Sequence, residues 1–251
     1  MAKYILTLLF LFTAHINAQL AIINDTDGYI NVRYDKNANS KIVGRLFNDD
    51  AFLYYKDEEN DEWIDVYYNV TLSQLEPEKR NYYIKECNVN GDSLYITGYI
   101  HKSRLMPIDQ LKKIPDAKRS EGKRKITIKN DSISLYIETS VFNPKAHKMK
   151  FAKDGWLEKI DGSYPWGAND DKPKIQIDRV SLIINGQTIF IPRNQYKDLF
   201  EPNLSKINLF IDKRGIIYIY MPWNSDGGGG YDAVWIIKDK KFLKRYVDGM
   251  S

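Results

Sequence analysis

Between residues 29 and 33 polar-faced and apolar side chains alternate one for one, with Tyr29, Asn31 and Arg33 on one parity and Ile30 and Val32 on the other. That two-residue period predicts a half-buried β-strand. Asp27 and Gly28 supply the turn before it. The next apolar stretch, Ile42, Val43, Leu46 and Phe47, ends in the turn cluster Asn48, Asp49 and Asp50, and residues 51–55 (AFLYY) read as a strand again. Residues 57–61 form an acidic hairpin tip. Trp63, Ile64 and Val66 return to the sheet, and Tyr99, Ile100 and His101 close it before a short turn at residues 102–105. Strands of this length and spacing suit a small barrel better than helices.

The second half keeps the same period. Ile133, Leu135 and Ile137 alternate with Ser134, Tyr136 and Glu138, and residues 181–184 and 188–191 flank Asn185-Gly186, a strong hairpin signal. Residues 207–211 and 216–220 flank residues 212–215 as a second hairpin, and residues 231–237 and 242–246 flank residues 238–241 as a third. One short helix is expected at residues 195–200, entered after Pro192 and closed before Pro202. The fold class expected is therefore mainly β, a small N-terminal barrel followed by a β-rich, sandwich-like C-terminal domain. A chain of 251 residues has room for both.

The first eighteen residues differ in kind. Lys3 precedes the apolar run at residues 5–12, and a polar close, His15 to Ala18, follows. This reads as a signal peptide cut before Gln19, since the apolar run is far short of the roughly 20 residues that span a bilayer. The expected location is periplasmic or secreted, with no stable membrane insertion after cleavage. No cysteine stands at the cleavage site, so a lipoprotein is not expected; the one cysteine, Cys87, has no partner for an internal disulfide.

Charge divides the chain. Residues 19–110 carry 10 Lys and Arg against 16 Asp and Glu, a net of −6, and residues 111–251 carry 26 against 17, a net of +9. Opposed halves either face each other or face different partners. Residues 111–125, broken by Pro115 and Gly122 and crowded with basic side chains, are expected to be a linker between an N-terminal domain at 19–110 and a C-terminal one at 126–251. An exported chain whose aromatics lie elsewhere is not expected to bind nucleic acid.

Four segments stand in one order: residues 28–33 (GYINVR), 41–46 (KIVGRL), 62–66 (EWIDV) and 98–105 (GYIHKSRL). Over about residues 20–107 this order resembles the bacterial Src-homology-3 domain. In that family a segment of the type G-[YF]-[VL]-N-[VL]-R opens the barrel, a tryptophan-valine strand sits centrally, and a G-[WY]-[VI] strand followed by a serine and an apolar residue closes it. The resemblance implies an exported barrel that holds proteins against the cell wall, with Trp63 in its core. The chain departs at residues 69–95, where the family has a short turn. A helical turn at residues 73–80 and a hairpin around Asn90-Gly91 are expected there, as an extra lobe that would cover or reshape the ligand groove.

The candidate binding surface is aromatic: Tyr29, Tyr54, Tyr67 and Tyr99, with Asn31, Arg33 and His101 as polar partners. Tyrosine offers a flat apolar face and a hydroxyl, which suits stacking on peptide or sugar. In the second half two loops combine tryptophan, carboxylate and glycine: Trp166, Asp170 and Asp171 in one, Trp223 and Asp226 in the other. Neither has the spacing of a calcium loop with its closing glutamate, and Gly230 leads into a strand rather than a helix, so no metal and no phosphate-bearing cofactor is expected.

Catalysis lacks its parts. A Cys-His peptidase would have to use Cys87 with His101 or His147, and the second half has no cysteine. No serine stands in a G-x-S-x-G elbow, no carboxylate is assignable to orient His147, and two histidines make a catalytic zinc site hard to build. A glycosidase needs only two carboxylates, but no pair stands apart from surface charge. The expected function is non-catalytic binding of cell-wall peptide or glycan, or of an envelope protein. The alternative is an immunity-like inhibitor whose C-terminal domain blocks a toxin or hydrolase, and third comes a cell-wall hydrolase.

Overall fold

Seven strands of the first half hydrogen-bond into one curled sheet: β1 (Ala18–Ile23), β2 (Tyr29–Arg33), β3 (Ile42–Phe47), β4 (Ala51–Tyr55), β5 (Trp63–Thr71), β6 (Ser93–His101) and β7 (Leu105–Pro107), in the order β3-β2-β6-β5-β4-β1-β7. The computed structural model describes residues 18–55, 61–75, 77–87, 89, 91–169, 171–225 and 229–249. The leader expected at residues 1–18, apart from Ala18, and most of the acidic tip at 57–61 lie outside the described residues. Alternation decides which side faces the core. In β5, Ile64, Val66 and Tyr68 are buried, and each lies opposite an inward residue of β6: Ile100, Gly98 and Ile96. Gly98 is required where the half-barrel bends, because its φ is +153° and a Cβ there would meet the Arg33 carbonyl oxygen at 2.4 Å.

The insertion lengthens the β5–β6 hairpin as far as the Thr71–Ser93 pair and carries one helix, α1 (Pro77–Glu86), on its end. The helix starts later than the sequence reading placed it because Pro77 pre-sets the first turn and Glu78 follows at the positive end of the helix dipole. Its anchor is Tyr83, fully buried, whose hydroxyl donates to the Arg45 carbonyl at 2.6 Å, while Tyr82 and Tyr83 both pack edge-on against Phe47 at 6.0 Å. The lobe therefore leans on β3.

The rest of the chain forms β8 (Lys112–Lys113), β9 (Lys118–Gly122), β10 (Lys125–Lys129), β11 (Ile133–Val141), β12 (Met149–Phe151), β13 (Leu157–Ile160), β14 (Ile175–Ile184), β15 (Gln187–Ile189), β16 (Asn208–Ile211), β17 (Ile217–Asn224), β18 (Tyr231–Lys238) and β19 (Lys241–Gly249). They make a five-stranded sheet β15-β14-β11-β10-β9, a second β19-β18-β17-β16-β8 and a small hairpin β12-β13. The fold is mainly β, and the three hairpins read from the sequence are present. The helix expected at 195–200 is a 3-10 turn at Arg193–Gln195; Leu199 and Phe200 are fully buried in bridges to Trp166 and Gln176, which draws that backbone out of a helix.

Two other features differ from the sequence reading. The basic segment at 111–125 is not a free linker, because β8 pairs with β16 (Lys112 opposite Ile211) and β9 pairs along its length with β10. Its lysines stay in water while Ile114 is buried in the second core and the backbone supplies edge strands, and lysine is a side chain that guards exposed edges from further pairing. The second difference is the core. Strands β17 and β18 are buried on both faces: Tyr218, Tyr220, Val234 and Ile236 join the half-barrel cluster, while Ile217, Ile219, Met221, Ala233, Trp235 and Ile237 pack against Ile126, Ile128, Leu135, Ile137 and Leu182 of the outer sheet. The central sheet thus lies between half-barrel and outer sheet. A buried ionic cluster ties the first two, with Asp50 held by Lys244 and by the Tyr68 hydroxyl (3.1 Å), and Asp49 by Lys79.

Candidate functional site

The outward parity of β2, β5 and β6 and the turns beside them enclose a cleft of about 230 Å³. Tyr29, Asn31, Arg33 and His101 line it together with Trp63, so four residues chosen from the sequence converge. Trp63 is not in the core. It is partly exposed and meets the His101 ring edge-on at 5.7 Å, because its parity is that of Asp65 rather than of Ile64. Each polar group is braced: Arg33 donates to the Ser40 carbonyl at 2.8 Å, Asn31 accepts from Arg45 Nε at 3.2 Å, and Arg45 lies 4.3 Å from the Tyr29 ring centroid. On the far lip Arg104 pairs with Asp25 at 2.7 Å. His101 Nδ1 accepts the Ser103 amide at 3.3 Å and lies 2.8 Å from the Ser103 hydroxyl oxygen, which fixes the ring against the turn. Among the described residues lining the cleft none comes from 69–95.

From the cleft a row of side chains runs along the outer face of the β5–β6 hairpin. Its rungs are Trp63–His101, Asp65–Tyr99, Tyr67–Thr97 and Asn69–Tyr95. With two residues per rung, the row extends roughly 20 Å. Lys36 lies 5.4 Å above the Tyr99 ring, Tyr55 meets Tyr67 edge-on at 5.0 Å, and Tyr67 reaches Tyr95 at 6.3 Å. Tyr95 is 57% exposed. Burial and the Asp65 carboxylate raise the Tyr67 phenol, and burial and Asp248 raise that of Tyr95, so both are neutral donors at physiological pH. Tyr54 lies elsewhere: it is buried, donates to Gln19 Oε1 at 2.6 Å, and its pKa is pushed up to about 12 by burial and by Asp109.

The two loops of the second half do meet. Asn169 Oδ1 accepts the Gly229 amide at 2.7 Å and the Ser225 hydroxyl at 3.3 Å, and the Gly167 amide donates to the Gly229 carbonyl at 3.1 Å. Gly167 cannot be replaced there without a clash, since a Cβ would sit 2.2 Å from the Phe200 carbonyl oxygen. Trp166 packs against Tyr164 at 4.9 Å and Trp223 is half exposed at a φ of +55°. The buried Asp232 fixes that turn by accepting the Trp223 amide at 2.8 Å and the Tyr220 hydroxyl at 2.6 Å; burial nonetheless raises its pKa. Asp171 turns back onto the Lys172 amide at 2.6 Å, and Asp170 and Asp226 lie outside the described residues.

His147 has an orienting carboxylate that the sequence did not reveal. Its Nδ1 lies 2.7 Å from Asp161 Oδ2, its ring stacks on Phe142 at 4.8 Å, and Nε2 faces Gln176 Oε1 at 3.1 Å. An amide thus occupies the place of a nucleophile. Burial and Glu86 raise the Cys87 thiol, which lies 3.8 Å from the Val43 carbonyl oxygen, so it stays protonated rather than reactive. Among the described residues no three His, Cys, Asp or Glu side chains are grouped to hold a metal. Compared with known proteins, the chain matches no family model, no curated protein and no solved structure.

Proposed function

We propose that this chain is an exported, non-catalytic binding protein of a bacterial envelope, whose half-barrel is a Src-homology-3-like module that takes cell-wall peptide or glycan. The observation that carries this reading is the union of the open cleft at Tyr29, Asn31, Arg33, Trp63 and His101 with the aromatic row through Tyr99, Tyr67 and Tyr95. An extended ligand of several units would stack along the row and place a polar end among Arg33, Asn31 and His101. Cleavage before Gln19 keeps that residue's bond to Tyr54 and nearly all of β1, so the proposed export signal and the fold are compatible.

Co-sedimentation of the protein with purified peptidoglycan tests the reading. Saturable pelleting that Trp63→Ala weakens is expected. Absence of pelleting would favour the inhibitor alternative, with the exposed Trp223 turn as its protein-facing anchor, and release of soluble muropeptides would make the chain a hydrolase.

A further inference from the structure

A second cleft, of about 550 Å³, opens at the seam between the half-barrel and the central sheet. Its position follows from the topology. β1 and β7 form one margin of the curled sheet, β8 and β16 form the margin of the central sheet, and residues 108–111 carry the chain between them. The floor is apolar, made by Ile22, Met106, Leu111 and Ile211, with the exposed Pro115 at its edge. This volume falls in the range of small-molecule sites, roughly 300–1,000 Å³, which are mostly apolar with a small number of placed polar groups.

The mouth is cationic. Lys112, Lys213 and Arg214 line it, and the one carboxylate there, Asp212, is already consumed by its own turn. Asp212 accepts the amides of Arg214 (2.9 Å) and Ile216 (3.0 Å), the Arg214 Nε (2.8 Å) and the Tyr218 hydroxyl (3.2 Å). Arg214 is held in turn, donating also to the Asn48 carbonyl at 2.9 Å. Lys112 and Lys213 are exposed and make no ion pair among the described residues. The charge left over at the mouth is positive.

We infer that this seam cleft binds a single-chain amphipathic anion, with the hydrocarbon tail against Met106, Leu111 and Ile211 and the anionic head between Lys112 and Lys213. Tail burial supplies most of the affinity, and the two ammonium groups select the sign of the head. The cleft uses none of the residues of the Trp63 cleft.

The test is calorimetric titration of the full protein with decanoate, kept below the concentration at which decanoate self-associates. Saturable one-to-one binding is expected. Decyltrimethylammonium, with the same tail and the opposite charge, should bind at least tenfold more weakly, and the Lys112→Glu/Lys213→Glu double variant should lose at least tenfold for decanoate. Leu111→Trp, which fills the floor, should abolish binding of both amphiphiles. Should that variant fail to fold by circular dichroism, the double variant, altered only at exposed lysines, decides alone. Equal binding of the two amphiphiles, absence of saturation, or undiminished decanoate affinity in the double variant would each overturn the assignment.

Discussion

Trp63, Asp65 and Tyr67 share one parity of β5 and Ile64, Val66 and Tyr68 the other, and the second set is the buried one. That alternation stands in the sequence, but the family resemblance put Trp63 in the core, and it is the structure that places it on the outside. Tyr67 and Tyr99 were chosen from the sequence, whereas Tyr95, which shares their outward face, was missed because it lies in the inserted segment; Tyr54 was misplaced because residues 51–54 are buried without alternation. Asp161 could not be found by reading, since only the β12–β13 pairing brings it back beside His147, fourteen residues away. The roles predict a contrast between two aromatic truncations. Trp63→Ala should weaken peptidoglycan binding by about 1–3 kcal/mol, as loss of an exposed aromatic anchor does, and leave the melting temperature nearly unchanged. Tyr68→Ala should cost about 3–5 kcal/mol of stability in urea unfolding, because Tyr68 is 1% exposed, lies parallel to Tyr246 at 6.2 Å and donates to Asp50. Equal melting losses for the two would put Trp63 back in the core.

Strands β17 and β18 read in the sequence as near-unbroken apolar runs, residues 216–221 (IIYIYM) and 233–237 (AVWII), whereas β10 and β11 alternate. An unbroken run is what burial on both faces demands, so the central layer was visible in composition; which two layers cover it was not, because that depends on contacts between segments far apart in the chain. The lysine-rich β8 and β9 show the converse, since edge strands can be polar in every side chain. At the seam the ionised carboxylates give the elements a pH dependence with two opposite signs. Burial works to raise the Asp49 carboxyl, but the ammonium groups of Lys244 and Lys79 hold it below the usual carboxylate range. Its contribution is thus complete above the unfolded value of about 3.9 and is lost as pH falls through the lower folded value. Asp232 and Asp248, opposite one another on β18 and β19, are both raised by burial. Their protonation favours the folded state, so stability from these two rises as pH falls through their folded values toward the unfolded one. Urea unfolding should accordingly show its maximum in the mildly acidic range. Asp232→Asn should flatten the rise on its alkaline side, and Asp49→Asn should flatten the fall on its acidic side; a maximum at neutral pH in all three proteins would contradict the assignment.

The opposed charges of the two halves, −6 and +9, meet in the folded molecule, with Asp50 of the acidic half against Lys244 of the basic half and Arg214 on the Asn48 carbonyl. The sequence left open whether the halves faced each other, since a charge count carries no geometry. What joins them is mainly apolar. Phe210, Tyr218, Tyr220, Val234, Ile236 and Tyr246 of the second half are buried in one cluster with Leu20, Phe52, Leu53, Tyr68 and Ile108 of the first. At about 1.5–3 kcal/mol for each large side chain buried, six of them contribute on the order of 10 kcal/mol, which matches the whole net stability of an ordinary domain, about 5–15 kcal/mol. A fragment of residues 19–110 would expose that face and leave Asp50 without Lys244. It should therefore be expanded and aggregation-prone when made alone, with narrow amide dispersion in a heteronuclear NMR spectrum, while co-expression with residues 111–251 should restore a soluble complex. The intact chain should unfold in one transition monitored in parallel by the fluorescence of its five tryptophans, Trp63 in the half-barrel and the other four in the second half, and by far-ultraviolet circular dichroism. A well-dispersed spectrum from residues 19–110 alone would show that the half-barrel needs no partner layer, and the shared core would then be an interface between two self-sufficient domains.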